Sequence, residues 1–346
     1  MKIQETNTKT NFNIFKILEK DDKELIHSGF IKYLLEYWAD YFFKILFKEN
    51  NEDYGEIELE KSHNRKRLDI FIKSKKNDKL IVIENKFKSF PNDEQLNTYD
   101  QILEEIYPNV AKKKYVICFD PDIISLQNSN WQMLSYTYLL SCIKGFIKNL
   151  KQITNDQLVF INHYINFLND YVTFYGSIKY NIQNIFISNP REEDKFWMSL
   201  IYYIIRNEVD VYFREKNIIA TYRVAPGTTT IPLLDIFPDH WQFKSIKFLI
   251  ELQGNEIKFY TWTEDKKIIL EIIDLAKRKS FEIDSKTLKY KTLTKKNIRS
   301  SYIYKEKMVF ENNADLNEII KYIKNYYNFI DSFLSDKNIL KLIKKV

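Results

Sequence analysis

The sequence predicts an α/β protein, with a mixed sheet flanked by helices in its first half and a separate α+β unit after it. Three observations lead there. The chain has 346 residues, enough for about two domains at roughly 150 residues each. In the first half, aliphatic segments alternate with amphipathic ones in the order helix, three strands, helix, strand, helices. That order is the pattern of a sheet with helices packed on it. Beyond Ser188-Asn189-Pro190 the strands gather into hairpins, and Pro190 stands where a helix can begin. The expected domains are residues 1–187 and 188–346.

Residues 11–20 read as a short helix. Asp21 or Asp22 can cap a longer one over 24–47, in which Phe30, Ile31, Leu34, Leu35, Trp38, Phe42, Ile45 and Leu46 recur at spacings of three and four. The acidic stretch 49–56 reads as a loop. Strands are expected over 56–60, 68–73 and 80–87, the last two joined by a hairpin turn at Asn77-Asp78. A helix over 93–107 stops at Pro108-Asn109, a strand covers 113–119, and helices cover 131–150 and 157–174. The second half reads as a helix over 191–216 and strands over 218–224, 244–253 and 256–263, with Gly254-Asn255 as a tight turn. A helix over 266–279, strands near Leu288 and Tyr302 and a helical end from Asp315 complete it.

Composition narrows the function classes. Six glycines, and no GxGxxG or GxxxxGK[ST], argue against a glycine-cradled phosphate site. Two cysteines, Cys118 and Cys142, exclude a disulfide scaffold and a cysteine zinc site. The polar start shows no secretory signal and no apolar run is long enough to span a bilayer, so a cytoplasmic location without a membrane partner is expected. Net charge is +6, but it is unevenly spread. Residues 61–90 carry 10 basic and 3 acidic side chains, and residues 276–308 carry 11 and 3. Such clustering suits a surface facing a polyanion, although solvated lysines on loops would look the same.

The chemistry concentrates between Arg67 and Tyr99. Asp69 opens the aliphatic run of one strand, and Leu80 to Ile83 lead into Glu84-Asn85-Lys86 on the next. Alternation along a strand puts Glu84 and Lys86 on one side and Asn85 on the other. The hairpin lets Asp69 approach Glu84. Two close carboxylates need a compensating cation, and a hard divalent ion with oxygen ligands supplies it. Gln95 and Tyr99, four apart, share a face of the following helix. A structural ion-pair network is the plain alternative. Glu193…Lys195 and Glu264…Lys266 repeat the Glu-x-Lys spacing. The first falls on an expected helix. The second follows a half-exposed strand and lacks a comparable polar helix after it.

Asp69 with Glu84-x-Lys86, followed by Gln95-x-x-x-Tyr99 and preceded by a helix bearing Glu24 and His27-Ser28, resembles the PD-(D/E)XK nuclease superfamily. The likeness is to a bacterial branch with ExK and QxxxY motifs and covers roughly residues 15–175. Leu68 stands where the family pattern has Pro. The resemblance implies a restriction-endonuclease-like mixed sheet flanked by helices. It implies a metal-dependent nuclease that hydrolyses phosphodiester bonds, with DNA as the expected substrate. Mg²⁺ or Mn²⁺ would be held by Asp69, Glu84 and the Asn85 carbonyl, with Glu24 or His27 completing the shell. Lys86 would position the attacking water, and Gln95 and Tyr99 would support the site. The product would carry a 5′-phosphate, and defence of a prokaryote against foreign DNA is a role such enzymes often take.

His63, Arg65, Arg67 and Lys88 are the nearby candidates for phosphate contact, with His63 equally readable as a plain loop residue. His27 is equally readable as a buried core histidine. Tyr290, Tyr302 and Tyr304 are candidates for base stacking in the second basic segment. The C-terminal unit is expected to bind substrate, a partner or a second copy of the chain. The rival reading of the whole is a nuclease-like fold kept for nucleic-acid or protein binding without catalysis.

Overall fold

The computed structural model describes residues 12–17, 23–63, 66–76, 78–124, 130–149, 153–178, 192–225, 231–263, 265–278, 289–290, 300–308 and 315–344. The chain divides into two compact units, residues 2–176 and 177–346.

In the first unit a single turn, α1 (Ile14–Ile17), precedes α2 (Glu24–Tyr37). The expected helix over 24–47 is interrupted at Trp38, whose backbone leaves the helical region at φ −136° and ψ 48°. It resumes as α3 (Ala39–Phe42) and a π-helical turn, Phe43–Phe47, which ends on Lys48 in a left-handed conformation. Strands β1 (Tyr54–His63), β2 (Lys66–Ser74) and β3 (Lys79–Asn85) form an antiparallel meander. The turn between β2 and β3 is built on Ser74. Its hydroxyl accepts from the backbone N–H of Asp78 and of Lys79, both at 3.0 Å, and donates to Asp78 Oδ1 at 2.7 Å.

Helix α4 (Asp93–Ile106) begins with Asn92 as its cap, the Asn92 side chain accepting from the Gln95 N–H at 2.8 Å. It carries the chain back to β4 (Ala111–Cys118), which pairs parallel with β3. A short edge strand, β5 (Gln132–Ser135), pairs parallel with β4 and runs into α5 (Tyr136–Asn149), and α6 (Asn155–Ile178) follows. Sheet order is β1-β2-β3-β4-β5. The sheet is therefore mixed, as expected. Helices cover it well enough that Ile70 to Ile72 and Leu80 to Ile83 are all buried, which explains their uninterrupted aliphatic run. Each such side chain contributes about 1.5–3 kcal/mol.

Two sequence expectations need correcting. Residues 132–135 were expected at the start of a helix and form β5 instead. Four residues are too few to show a strand period. The second unit also contains an unexpected strand over 233–238, in which Asp235 interrupts the apolar pattern.

That second unit starts with α7 (Glu192–Glu215) and is built on an antiparallel sheet. Its strands are β6 (Ala220–Ala225), β7 (Leu233–Pro238), β8 (Ile246–Gln253), β9 (Glu256–Thr263), β10 (Lys289–Tyr290) and β11 (Ser300–Lys307). Their order is β10-β11-β9-β8-β7-β6. Helices α8 (Lys266–Arg278), α9 (Leu316–Leu334) and α10 (Lys337–Ile343) complete it. Gly254 adopts φ 60° in the β8–β9 turn, a conformation open to glycine at no steric cost. Tyr304 is fully buried, with its ring 5.4 Å from that of Tyr326. Burial leaves the Tyr304 ring no open face for base stacking, contrary to the expectation; the side chains of Tyr290 and Tyr302 lie outside the described residues.

Candidate nuclease site

The β2–β3 ladder pairs Ile70 with Ile83, so one step further toward the open end Asp69 faces Glu84 on the same side of the sheet. The ladder does not continue there as plain backbone pairing. The Asp69 carboxylate itself accepts the Asn85 N–H, at 2.7 Å. On β3, Glu84 and Lys86 lie on one side as alternation requires, and the Lys86 ammonium donates to Glu84 Oε1 at 2.7 Å. Lys86 is fixed in turn by its backbone N–H, which donates to the Ile117 carbonyl of β4 at 2.8 Å.

Helix α4 supplies the second support. The Gln95 amide donates to Glu84 Oε1 at 2.7 Å and contacts the Tyr99 hydroxyl at 2.8 Å. The Tyr99 hydroxyl donates to the Arg67 carbonyl at 2.9 Å. One turn of helix thus orients the glutamate and ties α4 to β2. Helix α2 brings Glu24, whose carboxylate accepts from the Ser89 hydroxyl.

The electrostatics follow from burial. Glu84 is 2% exposed and Lys86 8%. Burial, then the neighbouring charge of Asp69, pushes the Glu84 carboxyl up to about 7, against the pull of Lys86. Burial lifts Asp69 to about 6, although the Asn85 N–H and Lys86 oppose it and Glu24 adds to it. Burial alone would lower the Lys86 ammonium, but Glu84, Glu24 and Asp69 outweigh that and raise it. A buried and a half-buried carboxylate therefore lie near one ammonium, which pairs with Glu84, and a third acid is in electrostatic reach. Glu84 Oε2 is buried and has no hydrogen-bond partner. An orphaned anionic oxygen of this kind is costly unless a cation or donor meets it.

The remaining expected residues fall in different places. The Asn85 side chain points away from the carboxylates and is fully buried. His27 is also fully buried. Its Nδ1 lies 3.0 Å from the Tyr164 hydroxyl, and its ring stacks on Phe87 at 3.6 Å, with Phe167 at 5.5 Å. These contacts make His27 part of the aromatic layer, so it is dropped from the metal shell. Arg67 is exposed and pairs with Glu60 at 3.1 Å. Lys88 lies 4.9 Å over the Tyr171 ring. The His63 side chain, Arg65 and the competing Glu264 lie outside the described residues. Ser89 and Tyr136 join the site without having been expected, as does Ser28, which the sequence places in the leading motif without a role. Their partners are 51 to 65 residues away, a distance at which no spacing rule operates.

Among the described residues, no three or more His, Cys, Asp or Glu side chains converge as a ready metal cage. The donor chemistry nonetheless suits a hard divalent ion. Asp69 and Glu84 offer carboxylate oxygens, one of them unpartnered, in surroundings that penalise their mutual charge.

Comparison with known proteins agrees with the geometry. Residues 37–166 match the family model of the PD-(D/E)XK nuclease superfamily. No curated protein and no solved structure matches the chain. The matched segment spans β1 to β5 and α4, and the mixed five-stranded sheet flanked by helices in the first unit is consistent with a restriction-endonuclease-like fold. No helix among the described residues is long and apolar enough to cross a membrane.

Proposed function

We propose, starting from a nuclease-superfamily domain in the first unit, that the protein is a Mg²⁺- or Mn²⁺-dependent deoxyribonuclease with its active site at Asp69, Glu84 and Lys86. The observation that carries this reading is the unpartnered, buried Glu84 Oε2 beside Asp69, two acids balanced by one ammonium. A pure binding module has no use for paired carboxylates facing an anionic ligand. Asp69 and Glu84 would hold the ion, with the Asn85 carbonyl and Glu24 as further oxygen donors. When bound, the ion stabilises the charge that builds on the phosphoryl oxygens.

The chain's own residues do the rest. Lys86, held between Glu84 and the β4 backbone, orients a water for in-line attack on phosphorus and offsets negative charge as the P–O bond forms. The 3′ oxygen leaves and takes a proton from solvent, so the phosphate stays on the 5′ end. Gln95 keeps the Glu84 carboxylate in one rotamer, and Tyr99 holds Gln95 against β2. Arg67 and Lys88, with His63 and Arg65, supply phosphate contacts. Lysine dominates the 53 basic residues, which favours backbone affinity over base reading. The C-terminal unit holds substrate, a partner or a second copy, and defence against foreign DNA is the pathway most in keeping with the superfamily.

The test is direct. Purified protein is incubated with linear duplex, circular duplex and single-stranded DNA, and with RNA, in Mg²⁺, Mn²⁺ or EDTA. Cleavage in either metal, its loss in EDTA and its loss in Glu84→Ala support the proposal. Equal cleavage by the Glu84→Ala protein would move the site to Glu264.

A further inference from the structure

We infer that the Asn85 side chain is a positioning residue, which clamps the first turn of α2 to the catalytic strand and thereby holds Glu24 within electrostatic reach of Asp69 and Glu84. This rests on the nuclease reading above and names a residue that acts on the site from the far side of the sheet.

Alternation puts Asn85 opposite to Glu84 and Lys86, where it is 0% exposed. A buried amide on an otherwise aliphatic strand is unfavourable unless each of its polar atoms is matched. All are. Oδ1 accepts from the Tyr136 hydroxyl. Nδ2 donates to the Glu24 carbonyl at 3.0 Å and to Ser28 Oγ at 3.0 Å. Ser28 Oγ in turn donates to the same Glu24 carbonyl at 3.0 Å. The main chain of Asn85 completes the link, because its N–H is the donor that holds Asp69. One residue therefore grips two acids of the site, Asp69 by its backbone and Glu24 by its side chain.

The helix needs this help. Its N-cap position is Lys23, which makes no side-chain capping hydrogen bond, so its own side chain does not fix where α2 begins. The strand fixes it instead. Asn85 thus holds the Glu24 backbone, while the Glu24 carboxylate accepts from the hydroxyl of Ser89, three residues beyond Lys86. A valine at position 85 would suit the strand. It would also free the α2 start and leave the Tyr136 hydroxyl without its acceptor.

The experiment compares Asn85→Ala, Asn85→Ser, Ser28→Ala, Glu24→Ala and the double variant Asn85→Ala/Glu24→Ala. Three things are measured: cleavage rate against Mg²⁺ concentration, Mn²⁺ affinity by calorimetry, and amide hydrogen exchange over residues 24–30. If Asn85 acts through Glu24, Asn85→Ala lowers the cleavage rate and weakens Mn²⁺ binding by about 10- to 100-fold, and the double variant is no worse than Glu24→Ala. Asn85→Ser, which keeps one donor, recovers part of the loss. Additive losses in the double variant, or unchanged metal dependence, overturn the proposal. If the wild type cuts nothing, the nuclease reading fails separately. The clamp is then decided by exchange, which must accelerate over residues 24–30 in Asn85→Ala and, should that variant not fold, in Ser28→Ala. Unchanged exchange refutes it.

Discussion

Each unit holds a cross-strand pair of carboxylates at least partly buried, and the two pairs are balanced differently. In the second unit Asp235 on β7 faces Glu251 on β8, and the row extends to Arg223 on β6 and Lys258 on β9. Arg223 Nε donates to Asp235 at 2.8 Å and Lys258 donates to Glu251 at 2.7 Å. That is one cation for each acid. In the first unit Lys86 pairs with Glu84, and Asp69 takes its hydrogen bond from a backbone amide. Neither arrangement is free of strain, since burial lifts Asp235 to about 6 against the pull of Arg223, and Asp235 Oδ1 has no hydrogen-bond partner. The difference is that, among the described residues, no second cation pairs with Asp69 or Glu84. An acid pair with a full complement of cations is a structural ladder, whereas a pair that is one cation short is a place where an ion can bind.

The largest effect that can break this comparison is on turnover. Glu84→Ala is expected to reduce cleavage by at least about 10³-fold, the scale of losing charge stabilisation at a reacting centre. Its duplex binding should persist, because a charge that repels phosphate is gone. Glu251→Ala should leave the cleavage rate within about threefold. It should instead lower stability by about 3 kcal/mol, because Lys258 is left buried without its carboxylate. Urea melts and initial rates of both variants decide it; a dead Glu251→Ala enzyme that melts normally would reverse the assignment.

A second test uses pH in metal-free protein. Asp69 and Glu84 have folded-state values of about 6 and about 7, above those of ordinary carboxylates. The folded state then binds more protons than the unfolded state between about pH 4 and 7, so stability falls as pH rises through that window. In EDTA, Glu84→Gln should melt higher than wild type at pH 8 and level with it at pH 4. A wild type that gains stability over the same range relative to the variant would contradict the charge shortage.

Adding the ion sharpens the same point. Mg²⁺ should raise the melting temperature of wild type at pH 8, and do so less at pH 5, where protons compete for the carboxylates. The rise should vanish in Glu84→Gln and in Asp69→Asn, and survive in Asp235→Asn. A shift that persists in the first two variants would place the ion elsewhere.

These contrasts were only partly legible in the sequence. The aliphatic run Leu80 to Ile83 and the Glu84-x-Lys86 spacing reveal the buried strand and its charged end, because alternation is a local rule. Gln95 and Tyr99 are legible for the same reason, being one helical turn apart. β7 was missed because Asp235 breaks its apolar pattern, and only its cross-strand neighbours explain a buried acid there. The Asn85 network was missed because its partners Glu24, Ser28 and Tyr136 come from remote helices. His27 was left readable as a ligand or as a core residue, because a histidine one turn from an acid looks alike in sequence whether its ring faces an ion or, as here, stacks on Phe87.

The smallest expected effect concerns the two basic segments, one in each unit. Residues 61–90 contain the acid pair, and residues 276–308 carry a similar excess of lysine. If both hold the phosphate backbone, the log of affinity for duplex DNA should fall linearly with the log of salt concentration. Each lost contact should then flatten that slope by roughly 0.9. Arg67→Ala and Lys88→Ala together would flatten it by about two such steps. Arg67 is exposed and its pairing with Glu60 is worth little, so the fold should be unaffected. Neutralising Lys289, Lys291, Lys295 and Lys307 should flatten it further, and alike for every sequence tested, since lysine meets phosphate as a point charge and does not read bases in pairs. The measurement is fluorescence anisotropy of a labelled duplex in EDTA from low to moderate salt. A slope that responds to the first segment and ignores the second would confine substrate holding to the first unit. The antiparallel sheet of the second unit would then be left to engage a protein partner or another copy of the chain.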